Sequence, residues 1–324
     1  MRAWPRPVPV AMAAILLAAA LVFAGGPAAL AYPPRIKVFV ANTGSRNLTV
    51  YDTRTTQLLA DIPVQTAPVG IAVAPDGDHV YVSNELSGTV SVLDANDHRV
   101  VATVPVGSHP FGIAAGADRV YVANFSDGTV TVIDTATNAP VATIPVGKFP
   151  HTPALSPDGQ TLLVSDNGAD AVTVIDTATN RVTGTIPVGR FPAGIAVTAR
   201  GRAYVANTGS NTVSVVSTRT GLVLATIPVG TAPIGVAVTG NGAVYVTNSG
   251  ADTVSRIDPG DTGVASTVPV GDQPEGIAAA PDDSYVYVTE TGSDSLAVLD
   301  VSAGTVSATV PVGDQPEGVV VSPG

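Results

Sequence analysis

Short runs of alternating apolar and polar residues recur along most of the chain, and one of them occupies residues 129–132. Alternation with a period of two places successive side chains on opposite faces of a β-strand. The runs span four to six residues, and turn residues interrupt them every 8 to 12 positions. No segment shows the periodicity of an amphipathic helix. The pattern therefore predicts an all-β protein made of many short strands.

The predicted strands belong to a unit of about 41 residues that occurs seven times. Two prolines mark each copy, and the second follows the first by five positions. The first prolines are Pro63, Pro105, Pro145, Pro187, Pro228, Pro269 and Pro311. The second prolines are Pro68, Pro110, Pro150, Pro192, Pro233, Pro274 and Pro316. Both sets recur at spacings of 40 to 42 residues, which indicates a repeat architecture.

Each unit contains four predicted strands. Examples from two neighbouring units are a first strand at 70–74, a second at 80–83, a third at 129–132 and a fourth at 141–146. The sequence Pro-Asp-Gly at 75–77 follows the first strand. It predicts a turn there, because proline presets φ and glycine accepts a positive φ. A four-stranded unit near 40 residues has the size of a propeller blade.

The two ends of the chain predict how the ring closes. A strand of the second type opens the repeat region at residues 36–41, and a strand of the first type ends it at 318–321. A seventh blade is complete only if the last strand pairs beside the opening three. The sequence therefore predicts an all-β, seven-bladed β-propeller over residues 32–324. Its blades are four-stranded and antiparallel, and the N- and C-terminal strands share one blade.

The first 31 residues have the layout of a secretory signal peptide. Arg2 and Arg6 precede an apolar run at 11–24, and the sequence Ala-Leu-Ala at 29–31 fits a cleavage site. No other stretch is apolar for long enough to cross a bilayer. The sequence thus predicts a secreted or cell-envelope-associated protein without a membrane span after cleavage.

Residues 245–248, Tyr-Val-Thr-Asn, carry a family signature, with close copies at 81–84, 121–124 and 204–207. The chain resembles the YVTN-type β-propeller repeat proteins over nearly all of residues 32–324. This resemblance implies the seven-bladed fold, and the family includes surface-layer and cell-envelope propellers with no assigned chemistry. Related seven-bladed folds include lactonases and an antibiotic-inactivating lyase, so the fold leaves binding and catalysis both open.

Composition removes several classes of function. The chain has no cysteine, which excludes thiol catalysis and cysteine-ligated zinc. Its formal net charge is −11, and such a surface repels nucleic acids and anionic membranes. We found no sequence motif for a cofactor or a metal site, and predict neither.

An acidic residue closes the third strand in six of the seven units. Before a Thr-rich turn, an aspartate accepts backbone N–H bonds, so we predict a structural role in the turn rather than a metal site. These positions are Asp52, Asp94, Asp134, Asp176, Asp258 and Asp300, with Ser217 in the remaining unit.

The copies differ most in the loops around the second proline, which strand order places at one mouth of the central channel. Two of these loops are cationic and aromatic, whereas two others are identical and acidic, and a sevenfold ring sets these pairs nearly opposite one another. Such a polarised mouth favours a small polar ligand or a polar partner surface. The predicted ligand-binding residues are Phe111, Lys148, Phe149, Arg190, Phe191, Asp272, Glu275, Asp314 and Glu317.

Four further residues are candidates for acid–base catalysis. His109 and His151 supply imidazoles in the proline loops, and Thr152 stands where other copies have glycine. Asp166 and Glu290 replace the asparagine that ends the second strand elsewhere. The same changes also fit neutral drift of exposed loops.

Two hypotheses follow from these patterns. The first is an exported platform that binds a protein, a peptide or a cell-envelope component through the channel-mouth loops. The alternative is an enzyme, namely a lyase, lactonase or isomerase, that acts at the same mouth. A third possibility is a purely structural surface-layer repeat.

Overall fold

The computed structural model describes residues 36–260 and 262–322, and the predicted signal peptide at 1–31 lies outside them. These residues form seven four-stranded antiparallel sheets, with two short 3-10 helices at Glu85–Ser87 and Asn167–Ala169. The innermost strands of neighbouring sheets contact one another around a closed ring. The predicted seven-bladed propeller is confirmed.

The strands follow one another from the inside to the outside of each blade. The chain begins with three strands of blade 7, which are β1 (Lys37–Asn42), β2 (Asn47–Asp52) and β3 (Leu58–Pro63). Blade 1 consists of β4 (Pro68–Val73), β5 (His79–Asn84), β6 (Thr89–Asp94) and β7 (Arg99–Pro105). Blade 2 consists of β8 (Pro110–Ala115), β9 (Arg119–Asn124), β10 (Thr129–Asp134) and β11 (Ala139–Pro145). Blade 3 consists of β12 (Pro150–Leu155), β13 (Thr161–Asp166), β14 (Ala171–Asp176) and β15 (Arg181–Pro187).

The remaining blades repeat this order. Blade 4 consists of β16 (Pro192–Val197), β17 (Arg202–Asn207), β18 (Thr212–Ser217) and β19 (Val223–Pro228). Blade 5 consists of β20 (Pro233–Val238), β21 (Val244–Asn248), β22 (Thr253–Ile257) and β23 (Val264–Pro269). Blade 6 consists of β24 (Pro274–Ala279), β25 (Tyr285–Glu290), β26 (Ser295–Asp300) and β27 (Thr305–Pro311). The chain then returns to blade 7 with β28 (Pro316–Val321).

Blade 7 closes the ring as predicted. β28 pairs antiparallel with β1, and Val319 and Val321 lie opposite Val40 and Val38. The Lys37 N–H donates to Ser322 Oγ at 2.9 Å, and the Ser322 N–H donates back to the Lys37 carbonyl at 2.9 Å. The two ends of the repeat region are thus joined in one sheet, and no disulfide is needed.

Apolar side chains pack between neighbouring blades. Tyr81 of blade 1, for example, is buried against Val120 and Val122 of blade 2. Both faces of the middle strands are therefore buried, and this includes polar residues of the third strands such as Thr131, whose hydroxyl oxygen accepts from the Asn124 amide at 2.9 Å. Burying one such apolar side chain contributes about 1.5–3 kcal/mol to stability.

Five of the six predicted aspartates accept backbone N–H groups in the turn after the third strand, namely Asp52, Asp94, Asp134, Asp176 and Asp300. Asp258 differs, because β22 ends at Ile257 and the Asp258 carboxylate pairs with Arg256 Nη2 at 2.9 Å. Asp94 Oδ1 accepts the N–H groups of Asn96 and Asp97, both at 2.8 Å. These hydrogen bonds lower the pKa of Asp94. In blade 4, Ser217 Oγ accepts the Thr220 N–H at 3.3 Å instead.

The innermost strands begin earlier than predicted. We expected β4 at 70–74, but it includes Pro68 as its first residue, and the register shifts between Pro68 and Ile71. Proline has no N–H to donate, so the first position of a strand accommodates it without the loss of a ladder bond.

Candidate active site

The residue after the second proline of each blade faces the central channel. These seven residues lie on the innermost strands, where all seven blades converge, and we call them the channel ring. With the neighbouring glycines and the side chains of Ile71, Ile113, Thr152, Asn167 and Thr208, they line a cavity of about 380 Å³. The channel ring consists of Val69, Phe111, His151, Ala193, Ile234, Glu275 and Glu317.

The next position in the innermost strand is glycine in six blades, because the blades approach closely there. A Cβ on Gly70 would lie 2.1 Å from the Phe111 carbonyl oxygen of the next blade, and one on Gly276 would lie 2.0 Å from that of Glu317. Only glycine fits this approach. Thr152 of blade 3 is the exception to the pattern.

The acidic side of the channel ring is formed by Glu275 and Glu317 on adjacent blades. Burial raises the pKa of Glu275. Burial raises the pKa of Glu317 to about 7, and the charges of Glu275 and Glu85 add to this effect. The Thr43 hydroxyl donates to the Pro68 carbonyl at 2.7 Å and also contacts Glu317, and this contact partly offsets the rise in the Glu317 pKa.

His151 occupies the other side of the channel ring. Burial lowers the pKa of His151 to about 4, so its imidazole is neutral at pH 7. Its Nδ1 lies 2.9 Å from Thr152 Oγ1, and the Thr152 N–H donates to Ser165 Oγ at 3.0 Å. A hydroxyl that donates to Nδ1 leaves the imidazole proton on Nε2. His151 can then act as a hydrogen-bond donor within the cavity.

An aromatic series extends outwards from His151. The ring centroids of His151 and Phe111 are 4.3 Å apart, and those of Phe111 and Phe125 are 6.1 Å apart. Phe125 stacks on Phe149 at 4.9 Å with an interplanar angle of 16°. These separations are typical of interacting aromatic rings. One wall of the mouth is therefore aromatic, with the Phe111 ring tilted by 53° to His151 and by 43° to Phe125.

Comparison with known proteins places this architecture in a family. The model of a family described as "Lactonase, 7-bladed beta-propeller" matches residues 99–323, which is well over half of the chain. The chain belongs to this lactonase family. A sequence comparison with curated proteins gave no match. The finer YVTN repeat type stays a prediction.

Solved structures with the same fold share little sequence with this family member. Hydrazine synthase from Kuenenia stuttgartiensis is 24% identical with a TM-score of 0.73, over 81% of this chain and 91% of that chain. A candidate 6-phosphogluconolactonase from Bacteroides fragilis is 18% identical with a TM-score of 0.77, over 89% and 98%. Apo AztD from Citrobacter koseri is 16% identical with a TM-score of 0.67, over 89% and 97%. At these identities the likeness shows the fold alone.

Of the four predicted catalytic residues, the structure places His151 in the channel ring. His109 is exposed at the outer mouth, where its Nδ1 lies 3.0 Å from Ser126 Oγ. It precedes Pro110 with a φ of 49°, whereas His151 follows its proline. A shift of two positions around the proline thus separates an outer side chain from one that lines the cavity.

Asp166 and Glu290 are buried at the ends of β13 and β25 and do not line the cavity. Asp166 Oδ2 accepts the Thr173 hydroxyl at 2.5 Å, and burial raises the Asp166 pKa to about 6. Glu290 accepts the Gly271 N–H at 2.6 Å and the Ser295 hydroxyl at 2.5 Å. Both residues support the proline loop from within their own blade, as asparagine does at the matching position of other blades.

Of the predicted ligand-binding residues, Phe111, Glu275 and Glu317 belong to the channel ring. The others lie in the two positions before each second proline, and their side chains are exposed. We call these six residues the rim. The rim consists of Lys148, Phe149, Arg190, Phe191, Asp272 and Asp314.

Three contributors to the site were not predicted as site residues. Thr43 and Glu85 start the loops after the second strands of blades 7 and 1 and act on Glu317 from there. Thr152 orients His151. The replacement of a recurrent glycine by Thr152 was visible in the sequence, but its contact with the preceding histidine was not.

Within 36–260 and 262–322, no three or more His, Asp or Glu side chains are grouped so that they could hold a metal ion. In the same part of the chain, no helix has the length and apolar character required to traverse a bilayer.

Proposed function

We propose that the chain hydrolyses a lactone in its central channel. The observation that carries this proposal is the convergence of His151, Glu275 and Glu317 on one ring of seven equivalent positions around a cavity. Membership of the lactonase family supports it, and so does the fold shared with a candidate 6-phosphogluconolactonase. Buried groups with shifted pKa values in a cleft are typical of catalytic sites.

The two glutamates supply the acid and the base. Because burial and mutual repulsion oppose the ionisation of both, the pair retains one proton near neutral pH. The Glu275 carboxylate takes a proton from water as the water oxygen bonds to the lactone carbonyl carbon. Glu317 then donates its proton to the ring oxygen as the carbon–oxygen bond of the ring breaks. The product is an open-chain hydroxy acid.

His151 stabilises the charge that develops during this attack. The carbonyl oxygen becomes negative in the tetrahedral intermediate, and a neutral Nε2–H group can donate a hydrogen bond to it. Thr152 fixes the imidazole in the tautomer that carries this proton. We therefore assign His151 as the oxyanion donor and Thr152 as its positioning residue.

Turnover of a panel of γ- and δ-lactones, followed by proton release, tests the proposal. Glu275→Gln, Glu317→Gln and His151→Ala should each lower kcat/KM by about 100-fold or more. Asp118→Asn is the matched control, since it removes an exposed carboxylate from the turn before β9 at the far end of the propeller. Unchanged turnover in all three channel variants would reject the channel ring as the site.

The rim favours a second function, which is the binding of a protein or peptide. Phe149 and Phe191 are 46% and 53% exposed and lie beside the cations Lys148 and Arg190. Exposed aromatic side chains next to arginine are typical of binding hot spots. Replacement of Phe191 by serine should weaken capture of such a partner and leave lactone turnover intact, since Phe191 does not line the cavity.

A further inference from the structure

We infer that the channel accepts an uncharged lactone with a flat apolar substituent and rejects phosphorylated sugar lactones. This inference rests on the proposed function and names the substrate class of the same site. This substrate class differs from that of a 6-phosphogluconolactonase, the activity for which the Bacteroides fragilis protein is a candidate.

The lining of the cavity is acidic. None of the described residues that line the cavity is Lys or Arg, whereas two of them, Glu275 and Glu317, are acidic. Its only imidazole, that of His151, is neutral at pH 7 because burial lowers its pKa. Glu85 adds a further carboxylate close enough to act on Glu317. Recognition of a phosphate ordinarily requires arginine, lysine or a helix N-terminus, and the cavity lining supplies none of these.

The nearest cations in the same loops lie in the rim. Lys148 is exposed, three positions before His151. Arg190 is also exposed, and its Nη2 donates to the Gly209 carbonyl at 2.7 Å. Neither residue lines the cavity. A phosphate that these residues attract would therefore be held at the outer mouth, away from the glutamate pair.

The opposite wall is aromatic. Phe111 lies against His151, and Phe125 and Phe149 extend this aromatic surface to the rim. The remaining members of the channel ring, apart from the glutamates, are Val69, Ala193 and Ile234. Such a wall provides contacts for a planar apolar group. The Asn167 amide and the Thr208 hydroxyl, which also line the cavity, already donate to the Pro192 and Pro233 carbonyls at 3.3 and 2.6 Å.

The size of the cavity agrees with a small substrate. Its volume of about 380 Å³ lies near the lower end of ligand sites, which span roughly 300–1,000 Å³. A five-membered lactone with one phenyl substituent fits this range. With the lactone carbonyl towards Nε2 of His151, the phenyl group can lie along Phe111.

Two matched pairs of lactones test charge and shape separately. D-glucono-δ-lactone and its 6-phosphate differ only in the phosphate group, and γ-phenyl-γ-butyrolactone differs from γ-butyrolactone only in the phenyl group. For the intact protein we expect the phosphate to lower kcat/KM by about tenfold or more and the phenyl group to raise it by about tenfold. Phe111→Leu should reduce the preference for the phenyl group.

A cation placed in the channel ring should alter the selectivity. Ile234→Lys introduces an ammonium group at a position that the proposed chemistry does not use, and Ile234→Met is its uncharged control. The lysine variant should narrow the difference between the two gluconolactones, whereas the methionine variant should retain it. Thermal unfolding of both variants checks that the propeller is intact.

The outcomes separate this inference from the proposed function. Turnover of the phosphorylated lactone at an equal or higher kcat/KM would overturn the inference and leave lactone hydrolysis in place. If no lactone is turned over, the proposed function fails, and thermal shift with the same four compounds decides the ligand class. Protection by the phenyl lactone but not by the phosphorylated one would support the inference, and any other pattern would overturn it.

Discussion

The channel ring and the rim come from the same loops and are only a few residues apart, yet they differ in chemistry. Asp272 is exposed in the rim, and Glu275 lies three positions later in the channel ring. The loop before β28 repeats this arrangement with Asp314 and Glu317. The second residue of each pair is partly buried, and this burial raises the pKa of both ring glutamates. Position relative to the proline therefore decides which carboxyl group becomes an acid–base candidate.

Loss of the proton that Glu317 donates, by substitution or by ionisation, should have the largest effect on activity. Glu317→Gln should lower kcat/KM by about 100-fold or more, because an amide cannot protonate the leaving ring oxygen. In the native protein, kcat/KM should fall as the pH rises through about 7, where Glu317 ionises. Initial rates between pH 5 and 9 measure both effects. A native profile without this decline would contradict the role of Glu317 as the acid.

The same substitution should stabilise the fold at alkaline pH. The folded state holds the Glu317 proton more tightly than the unfolded state, since the folded pKa is about 7 and the ordinary value is 4.5. Stability is therefore lost as the pH rises from about 4.5 to 7. Glu317→Gln avoids this loss and should raise the free energy of unfolding at pH 8 by on the order of 3 kcal/mol.

Denaturant unfolding at pH 4.5, 6 and 8 measures the difference between the native protein and Glu317→Gln. We expect this difference to be small at pH 4.5 and to grow with pH. Asp314→Asn, in the exposed rim of the same loop, is the matched control and should show no such growth. A difference that is independent of pH would show that the carboxyl of Glu317 is not held in its neutral form.

The sequence predicted the fold closely because the fold is repeated seven times. The proline spacing specified the number of blades, and the unequal types of the first and last strands specified the closure by β28. The turn role of Asp94 was also predictable, because its partners are its own neighbours in the chain. Local contacts that recur in each unit can be read from a single sequence.

The site was less predictable because its contacts join residues far apart in the chain. Glu317 depends on Thr43 and Glu85, which approach it only after the ring closes. Asp166 and Glu290 stood out as departures from asparagine, yet each bonds within its own blade. Sequence variation thus marked unusual positions without indicating which of them face the channel.

Removal of the Thr152 hydroxyl should have an intermediate effect and lower kcat by about tenfold, because this hydroxyl acts through His151. Thr152→Val retains the shape of the side chain and removes the hydrogen bond to Nδ1, whereas Thr152→Ser retains the hydroxyl. The valine variant should lose kcat with little change in KM, and the serine variant should recover it. Nitrogen NMR of the imidazole should show less of the Nε2–H tautomer in the valine variant. An unchanged tautomer together with unchanged kcat would assign Thr152 to packing alone.

Removal of the rim carboxylates should have the smallest effect. The double variant Asp272→Asn with Asp314→Asn should change kcat/KM for an uncharged lactone by less than about threefold, since water and salt screen exposed charges. Glu275→Gln with Glu317→Gln replaces two carboxyl groups by amides in the same two loops and should nearly abolish turnover. Measurement of both double variants at low and moderate ionic strength compares the two regions directly. If the rim variant loses as much activity as the ring variant, burial does not separate the two sets of carboxylates, and the catalytic site extends to the outer mouth.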